Sequence, residues 1–452
     1  MLESARPMAA QPSPLRRSLG LPHATAMVAG TILGASIFVQ PAEIGLYVPS
    51  VSGMMAVWVL AGLLTLCGAL VCAELAAVYP HTGGVYIFLK ELFSPAIGFL
   101  WGWAMFWSVH SGIIAALSVI FARYVGYFLP LDDAGIRLVA ITGIFLLSAI
   151  NYVGVRAGST VQLLLTAAKL LAIAAVIVFF FALGSPAPSS PPPAATPAAQ
   201  SGLRDFALAL TAGLFSYGGW HMVTYTAGET RDAQRTIPRA LLFGTLLVTA
   251  CYLALNAAYL HVLPLDAMVQ SVRVAADAAE LVLGPRGAAF ISALVVLSTL
   301  GALTGIILAG PRVYYAMAQD GLAFRWLGVV HPHFQTPHRA ILLQAAWSSV
   351  LVATDSYRNL FTRVIYTEWL FFALLAVGIV LLRRRSGFQS TLPTWAYPLV
   401  PLLFIASSLL IVSNQVLANP RGSAFGLLLV LAGLPVYFVW ARARRGVAHA
   451  SH

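Results

Sequence analysis

The segment Gly30–Phe38 reads GTILGASIF, and the segment Gly213–Trp220 reads GLFSYGGW. Each lies inside an apolar stretch long enough to cross a bilayer. At 1.5 Å of rise per residue, Gly34 stands roughly 15 Å from the start of its stretch at Ala24, and Gly218 roughly 18 Å from the start of its own at Phe206. Glycine is a poor residue for a helix interior, and clustered glycines with small polar neighbours invite unwinding. Close packing of helices through small residues explains either cluster taken alone. The pair carries more weight. One cluster sits in the first apolar stretch and the other in the sixth, at matching places in two halves of five. Broken helices so placed mark the midplane site of a carrier. Non-helical backbone at that depth is tolerated only where it lines a polar cavity. Freed N–H groups attract an anion and freed carbonyls a cation. A ligand with a carboxylate and an ammonium on one carbon, an α-amino acid, satisfies both.

Composition agrees that lipid is the solvent. Charged residues make up 9% of the 452, hydrophobic residues 60%, and the mean hydropathy is +0.85. An ordinary soluble protein carries about 25% charged residues. Disordered, fibrous and nucleic-acid-binding classes are excluded for the same reason, despite a net charge of +11. The fold class is therefore an all-α integral membrane protein. Cys67, Cys72 and Cys251 lie in apolar runs without metal or disulfide spacing. No metal or cofactor site is expected, and no disulfide-linked subunit.

Twelve stretches read as transmembrane helices: Ala24–Val48, Gly53–Tyr79, Ala96–Leu129, Gly135–Tyr152, Ala157–Leu183, Phe206–Ala227, Pro238–Val262, Gly287–Ala318, Ala340–Ala353, Leu360–Leu382, Trp395–Val416 and Phe425–Trp440. Basic residues favour one set of loops by about two to one, which places both termini in the cytoplasm and the basic face against anionic lipid. The expected division is a cytoplasmic tail (1–23), a first five-helix repeat (24–183), a Pro-rich outer loop (184–205), a second repeat (206–382), two additional helices (383–441) and a second tail (442–452). The stretch Pro264–Gly284 is too polar to span and reads as short helical pieces on the outer face.

At the two glycine clusters the sequence resembles the amino acid–polyamine–organocation superfamily, and most of all its L-type amino acid transporter branch. The signature close to IGSGIF followed by proline stands as Leu33-Gly34-Ala35-Ser36-Ile37-Phe38 and then Pro41. The signature FxYGGW stands as Phe215-Ser216-Tyr217-Gly218-Gly219-Trp220. YPHTGGVYIFLKE at Tyr79–Glu91, TAAKLL at Thr166–Leu171, YLALNAAYL at Tyr252–Leu260 and GPRVYYAMAQDG at Gly310–Gly321 extend the likeness, as does Glu368-Trp369-Leu370-Phe371. The resemblance implies a leucine-transporter-like 5+5 inverted repeat followed by two C-terminal helices. It implies a substrate carboxylate held by backbone N–H groups at Gly34, Ala35 and Ser36. It implies an ammonium held by carbonyls of Ile32, Phe215 and Gly218. Phe215 closes the site, and Ser216, Tyr217, Trp220 and His221 belong to the gate and pocket. Where relatives carry G-S-G this chain carries G-A-S, so Ser36 replaces a glycine beside the carboxylate site and puts substrate size in question.

Four polar residues lie deep. Lys169 stands roughly 18 Å past Ala157, where a lysine costs about 2.5–3.5 kcal/mol on insertion scales and calls for a partner. By the resemblance it contacts the unwound first span in place of Na⁺, which implies sodium independence. Glu368, about 14 Å past Leu360, suits an ion pair, a carried proton or a structural hydrogen bond. Tyr252 suits a hydroxyl contact to the site or ordinary packing. His110 suits a structural role or a proton relay. Trp101, Trp103 and Trp107 read as packing or interface residues. Glu74, near a cytoplasmic end, is expected to meet an arginine.

The reading is a sodium-independent carrier that exchanges neutral L-amino acids across the cell membrane by alternating access. Its rivals are a proton-coupled symporter using Glu368 or His110, an amine or polyamine antiporter, and a non-transporting nutrient sensor. An enzyme is disfavoured, because no nucleophile–base pair or metal cluster lies at depth.

Overall fold

The computed structural model describes residues 19–450 apart from 82, 154–157, 188–201, 335 and 385–395. Among them there is no strand, only one isolated bridge between Leu19 and Thr230. The first apolar stretch is two short helices, α1 (Leu21–Ile32) and α2 (Gln40–Tyr47), joined by a 3₁₀ turn at Ser36–Phe38. Then come α3 (Val51–Val78), α4 (Val85–Leu92), α5 (Pro95–Ala104), α6 (His110–Val125), α7 (Asp133–Val153) and α8 (Gly158–Leu183). The second half runs through α9 (Leu203–Ser216), a 3₁₀ segment at Trp220–Glu229, α10 (Ala233–Val262), α11 (Leu265–Gln270), α12 (Val274–Gln319), α13 (His338–Thr354) and α14 (Tyr357–Arg383). It is followed by α15 (Leu399–Ala418), α16 (Pro420–Leu431) and α17 (Gly433–Ala450).

Nine described helices are long and apolar enough to cross a membrane. The remaining three expected spans fall short for separate reasons. The first and sixth are broken, and α13 has only 17 residues. Lipid-facing and core-facing sides are told apart within single helices. On α8, Leu171 is 72% exposed while Lys169, two residues earlier, is 9% exposed.

Several boundaries differ from expectation. Helix α1 begins at Leu21, inside the expected tail, because Pro22 sits in its first turn, where a missing N–H costs nothing. Helix α9 begins at Leu203, inside the expected loop, most of which lies outside the described residues, as does Trp395. The third span carries a π-helical turn at Met105–Val109, and Ser111 donates to the Phe106 carbonyl five residues back at 2.7 Å. The polar stretch Pro264–Gly284 forms α11 and the start of α12, which bends at Gly284 (φ 69°) before Pro285. The twelfth span divides at Ala432, since Pro435 cannot donate to the carbonyl that a continuous helix would offer it. Helix α17 then continues to Ala450, through most of the expected second tail.

The packing brings the two broken segments together. Helix α2 lies on α9, while α1 lies on the Trp220–Glu229 segment, on α8 and on α10. Helices α6 and α14 flank the gap. At the expected cytoplasmic end, the fully buried Glu74 of α3 takes a two-pronged contact from the Arg383 guanidinium, each N···O 3.1 Å. One-sided removal of such a pair would strand a buried charge.

Candidate functional site

The first break is an inverse γ-turn. Leu33 has φ −67° and ψ 58°, and the N–H of Gly34 donates to the Ile32 carbonyl at 2.6 Å. Beyond it the chain winds again, with Phe38 N–H on the Ala35 carbonyl and Val39 N–H on that of Ser36. The N–H groups of Ala35, Ser36 and Ile37 find no acceptor among the described residues. They are the open N-terminus of a half-helix, an anion-binding arrangement, here buried beneath 0–4% exposed side chains.

The second break is set by Gly219, whose φ of 93° is left-handed and suits glycine. Its carbonyl oxygen lies 3.2 Å from the Thr31 hydroxyl oxygen, so the two breaks touch, although the one hydrogen of that hydroxyl has nearer acceptors in the Met27 and Val28 carbonyls at 2.8 and 3.0 Å. A Cβ at Gly219 would lie 3.3 Å from that of Thr31. Helix α9 ends with Tyr217 N–H on the Leu214 carbonyl and Gly218 N–H on the Phe215 carbonyl. The Gly218 carbonyl accepts no hydrogen bond among the described residues, and that of Phe215 takes the Gly218 N–H with the Tyr217 N–H also directed at it.

Between the breaks lies a cavity of about 20 Å³. That is room for about one water molecule, so a ligand enters only if the walls part. Of the expected residues, Ile32, Gly34, Ser36, Phe215, Ser216, Gly218 and Glu368 line it, together with Thr31 and apolar side chains from α6, α12 and α14. Ala35 is not among the lining residues, and three expected pocket residues lie elsewhere. Tyr217 donates to the Trp58 carbonyl on α3 at 3.2 Å. Trp220 packs on Phe372, ring centres 5.0 Å apart. His221 sits behind the cavity wall, with Nε2 3.6 Å from a carboxylate oxygen of Glu368.

Tyr252 joins the breaks from α10. Its hydroxyl lies 2.7 Å from the Ile32 carbonyl oxygen and 2.9 Å from that of Ser216. The Ile32 carbonyl oxygen has the Gly34 N–H at 2.6 Å and the Tyr252 hydroxyl at 2.7 Å beside it, and Ile32 lines the cavity. Phe215 faces Phe361 at 5.5 Å and Tyr357 at 6.5 Å, an aromatic layer over one end of the cavity. Sequence reasoning missed Thr31, Phe361 and Tyr357, which have no motif to mark them.

Two deep residues stand apart. Lys169 makes no hydrogen bond or ion pair among the described residues. It is one turn beyond Thr166, whose hydroxyl donates to the Ala26 carbonyl at 3.2 Å, so its face of α8 meets α1. His110 follows the π-helical turn and is fully buried; neither of its ring nitrogens has a hydrogen-bond partner among the described residues. The same holds for His221, the Tyr225 hydroxyl and one oxygen of Glu368. Buried polar atoms in such number are ordinarily satisfied by water.

The profile of the amino acid permease family matches residues 19–439. The chain belongs to that family. It is 31% identical to the serine/threonine exchanger SteT of Bacillus subtilis, over 94% of this chain and 97% of the relative. It is 31% identical to the large neutral amino acids transporter small subunit 2 of Oryctolagus cuniculus, over 94% and 80%. It is 27% identical to the human b(0,+)-type amino acid transporter 1, over 96% and 90%. The chain is thus a membrane permease of the amino acid–polyamine–organocation superfamily, in its L-type branch, and not an enzyme.

Proposed function

We propose that this permease exchanges neutral L-amino acids across the cell membrane, without sodium, by alternating access around the cavity between the breaks. The observation that carries this reading is the row of N–H groups at Ala35, Ser36 and Ile37 left without an acceptor among the described residues, in the break whose Gly34 and Ser36 share a cavity wall with Phe215 and Gly218 of the other break. A carboxylate fits the first and an ammonium the second, at Ile32, Phe215 and Gly218. The reading includes a 5+5 inverted repeat with two added helices and both termini in the cytoplasm. Lys169 takes the place of a sodium ion beside α1, and no disulfide-linked subunit is needed, since all three cysteines lie in helices α3 and α10. The similarity to exchangers supports exchange over net uptake. The experiment is reconstitution into liposomes preloaded with one unlabelled amino acid, followed by uptake of a labelled panel with and without Na⁺. Preloading should raise uptake, and Na⁺ should leave it unchanged. Absence of uptake for every amino acid, preloaded or empty, would end the reading.

A second reading, proton-coupled symport, draws support from the buried His221–Glu368 contact beside the cavity. It requires that a pH gradient drive accumulation into empty vesicles. An amine or polyamine antiporter fits less well, because Glu368 is the sole carboxylate among the described lining residues.

A further inference from the structure

A second and larger cavity, of about 250 Å³, lies on the far side of the aromatic layer. Phe361 belongs to its wall and packs on Phe215, which belongs to the wall of the small cavity. These two rings, tilted at 40° to each other, lie between the two spaces. The larger one is framed by the end of α2, the starts of α9 and α14, the end of α15 and the start of α16. In the orientation proposed above, all of these ends lie on the outer face.

Its chemistry is one-sided. Three arginines line it, Arg204, Arg358 and Arg363, and none of the described lining residues is Asp or Glu. Arg358 pairs with Glu43 at 2.8 Å, and Arg363 pairs with Asp355; both carboxylates lie outside the lining. Asp205, next to Arg204 in sequence, is also outside the lining. Arg204 is exposed and has no ion-pair partner among the described residues. One further donor points to a missing partner. Tyr366 is 3% exposed and lines the cavity, and its hydroxyl has no hydrogen-bond partner among the described residues; Gln415, 5% exposed, adds a side-chain oxygen that can only accept, which suits the ammonium end of a zwitterion. A pocket of donors with one unpaired cation takes an anionic group.

We infer that this cavity is an entry site, where Arg204 and its neighbours hold the carboxylate of an incoming amino acid before the Phe215–Phe361 layer opens. The inference rests on the reading of the chain as an amino acid carrier. Three features favour an amino acid over a lipid headgroup as occupant. The cavity is large enough for a whole amino acid, it abuts the central site through a single aromatic layer, and it offers no second unpaired cation to match the greater charge of a phosphate.

The test is exchange of labelled L-serine in liposomes, with Arg204→Gln and Arg204→Lys compared with the wild type. The two lipid compositions are pure phosphatidylcholine and a mixture with anionic phosphatidylglycerol. Arg204→Gln should raise KM about three- to fivefold, the scale of one exposed charge contact, and leave kcat unchanged in both lipids. Arg204→Lys should restore most of the loss. Added salt should raise the wild-type KM and leave that of Arg204→Gln flat. An unchanged KM in Arg204→Gln, with the wild type active, overturns the entry site and leaves the carrier reading intact. An effect confined to phosphatidylglycerol assigns the cavity to a lipid headgroup and also overturns it. Lack of exchange by the wild type with any amino acid of a panel removes the carrier reading itself, and the inference with it.

Discussion

The hydroxyl of Tyr252 reaches the carbonyl of Ile32 across 220 residues of sequence, at 2.7 Å. It lies almost as close to the Ser216 carbonyl, and so pins the end of α1 to the end of α9. One hydroxyl has one hydrogen to give, so it holds one carbonyl firmly while the other waits. A carrier needs its two half-helix ends fixed relative to each other when the substrate is gripped. Tyr252→Phe keeps the ring, which packs on Trp58 and Tyr217, and removes only this tie. A net hydrogen bond of about 1–1.5 kcal/mol predicts exchange slowed about five- to tenfold, with a modest loss of thermal stability. Wild-type exchange rates in the variant would show that the tie is not part of the cycle.

Gly219→Ala probes the second break. The left-handed φ of 93° costs a residue with a Cβ about 1–2 kcal/mol, and that Cβ would press on Thr31. The expected result is a lower melting temperature and loss of most exchange. A neighbouring control, Gly305→Ala, meets nothing within 4 Å and should behave as wild type apart from local helix propensity. Equal melting temperatures for the Gly219 variant and the wild type would remove the strain argument.

Ser36→Gly tests what binds the carboxylate. If the backbone N–H groups do so, deleting the side chain keeps binding and frees space in a cavity of about 20 Å³. The variant should exchange amino acids larger than those the wild type accepts, with KM for small ones within about threefold, the scale of one weak hydrogen bond. A collapse of exchange for every substrate would instead assign the grip to the serine hydroxyl.

Much of this was legible in the sequence because lipid imposes strict rules. Spans must be long and apolar, so α3, α7, α10 and α14 could be read to within a few residues. Breaks need small residues, so Gly34 and Gly218-Gly219 stood out. What could not be read was direction. Nothing in the order of letters tells that Tyr217 reaches toward α3 or that His221 meets Glu368 outside the cavity lining. Nor does it tell that a tyrosine on α10 reaches the Ile32 carbonyl. The entry cavity was hidden for a related reason: its arginines come from separate helices, and only packing makes them neighbours.

Lys169→Ala addresses sodium. The ammonium is buried on the face of α8 that meets α1, without a hydrogen bond among the described residues. A deep cation is expensive to keep unless the transport cycle uses it. The variant should lose exchange by about tenfold or more, a change of about 1.4 kcal/mol, and Na⁺ should not stimulate the wild type. Undiminished exchange by the variant would leave the lysine without a role.

Glu368→Gln separates exchange from proton coupling. The side chain lines the cavity and faces His221 at 3.6 Å, a distance at which a shift of under 1 Å makes a hydrogen bond. The amide is nearly the same size and can still meet the imidazole, but it holds no exchangeable charge. If the carrier is an exchanger, the variant retains counterflow within about threefold of wild type, the loss of one modest hydrogen bond. If a proton travels on this pair, the variant loses accumulation driven by a pH gradient while keeping counterflow. His221→Asn should then give the same pattern, because the pair and not the lone carboxylate would carry the proton. A wild type that never accumulates substrate under a pH gradient excludes proton coupling, whatever the two variants do.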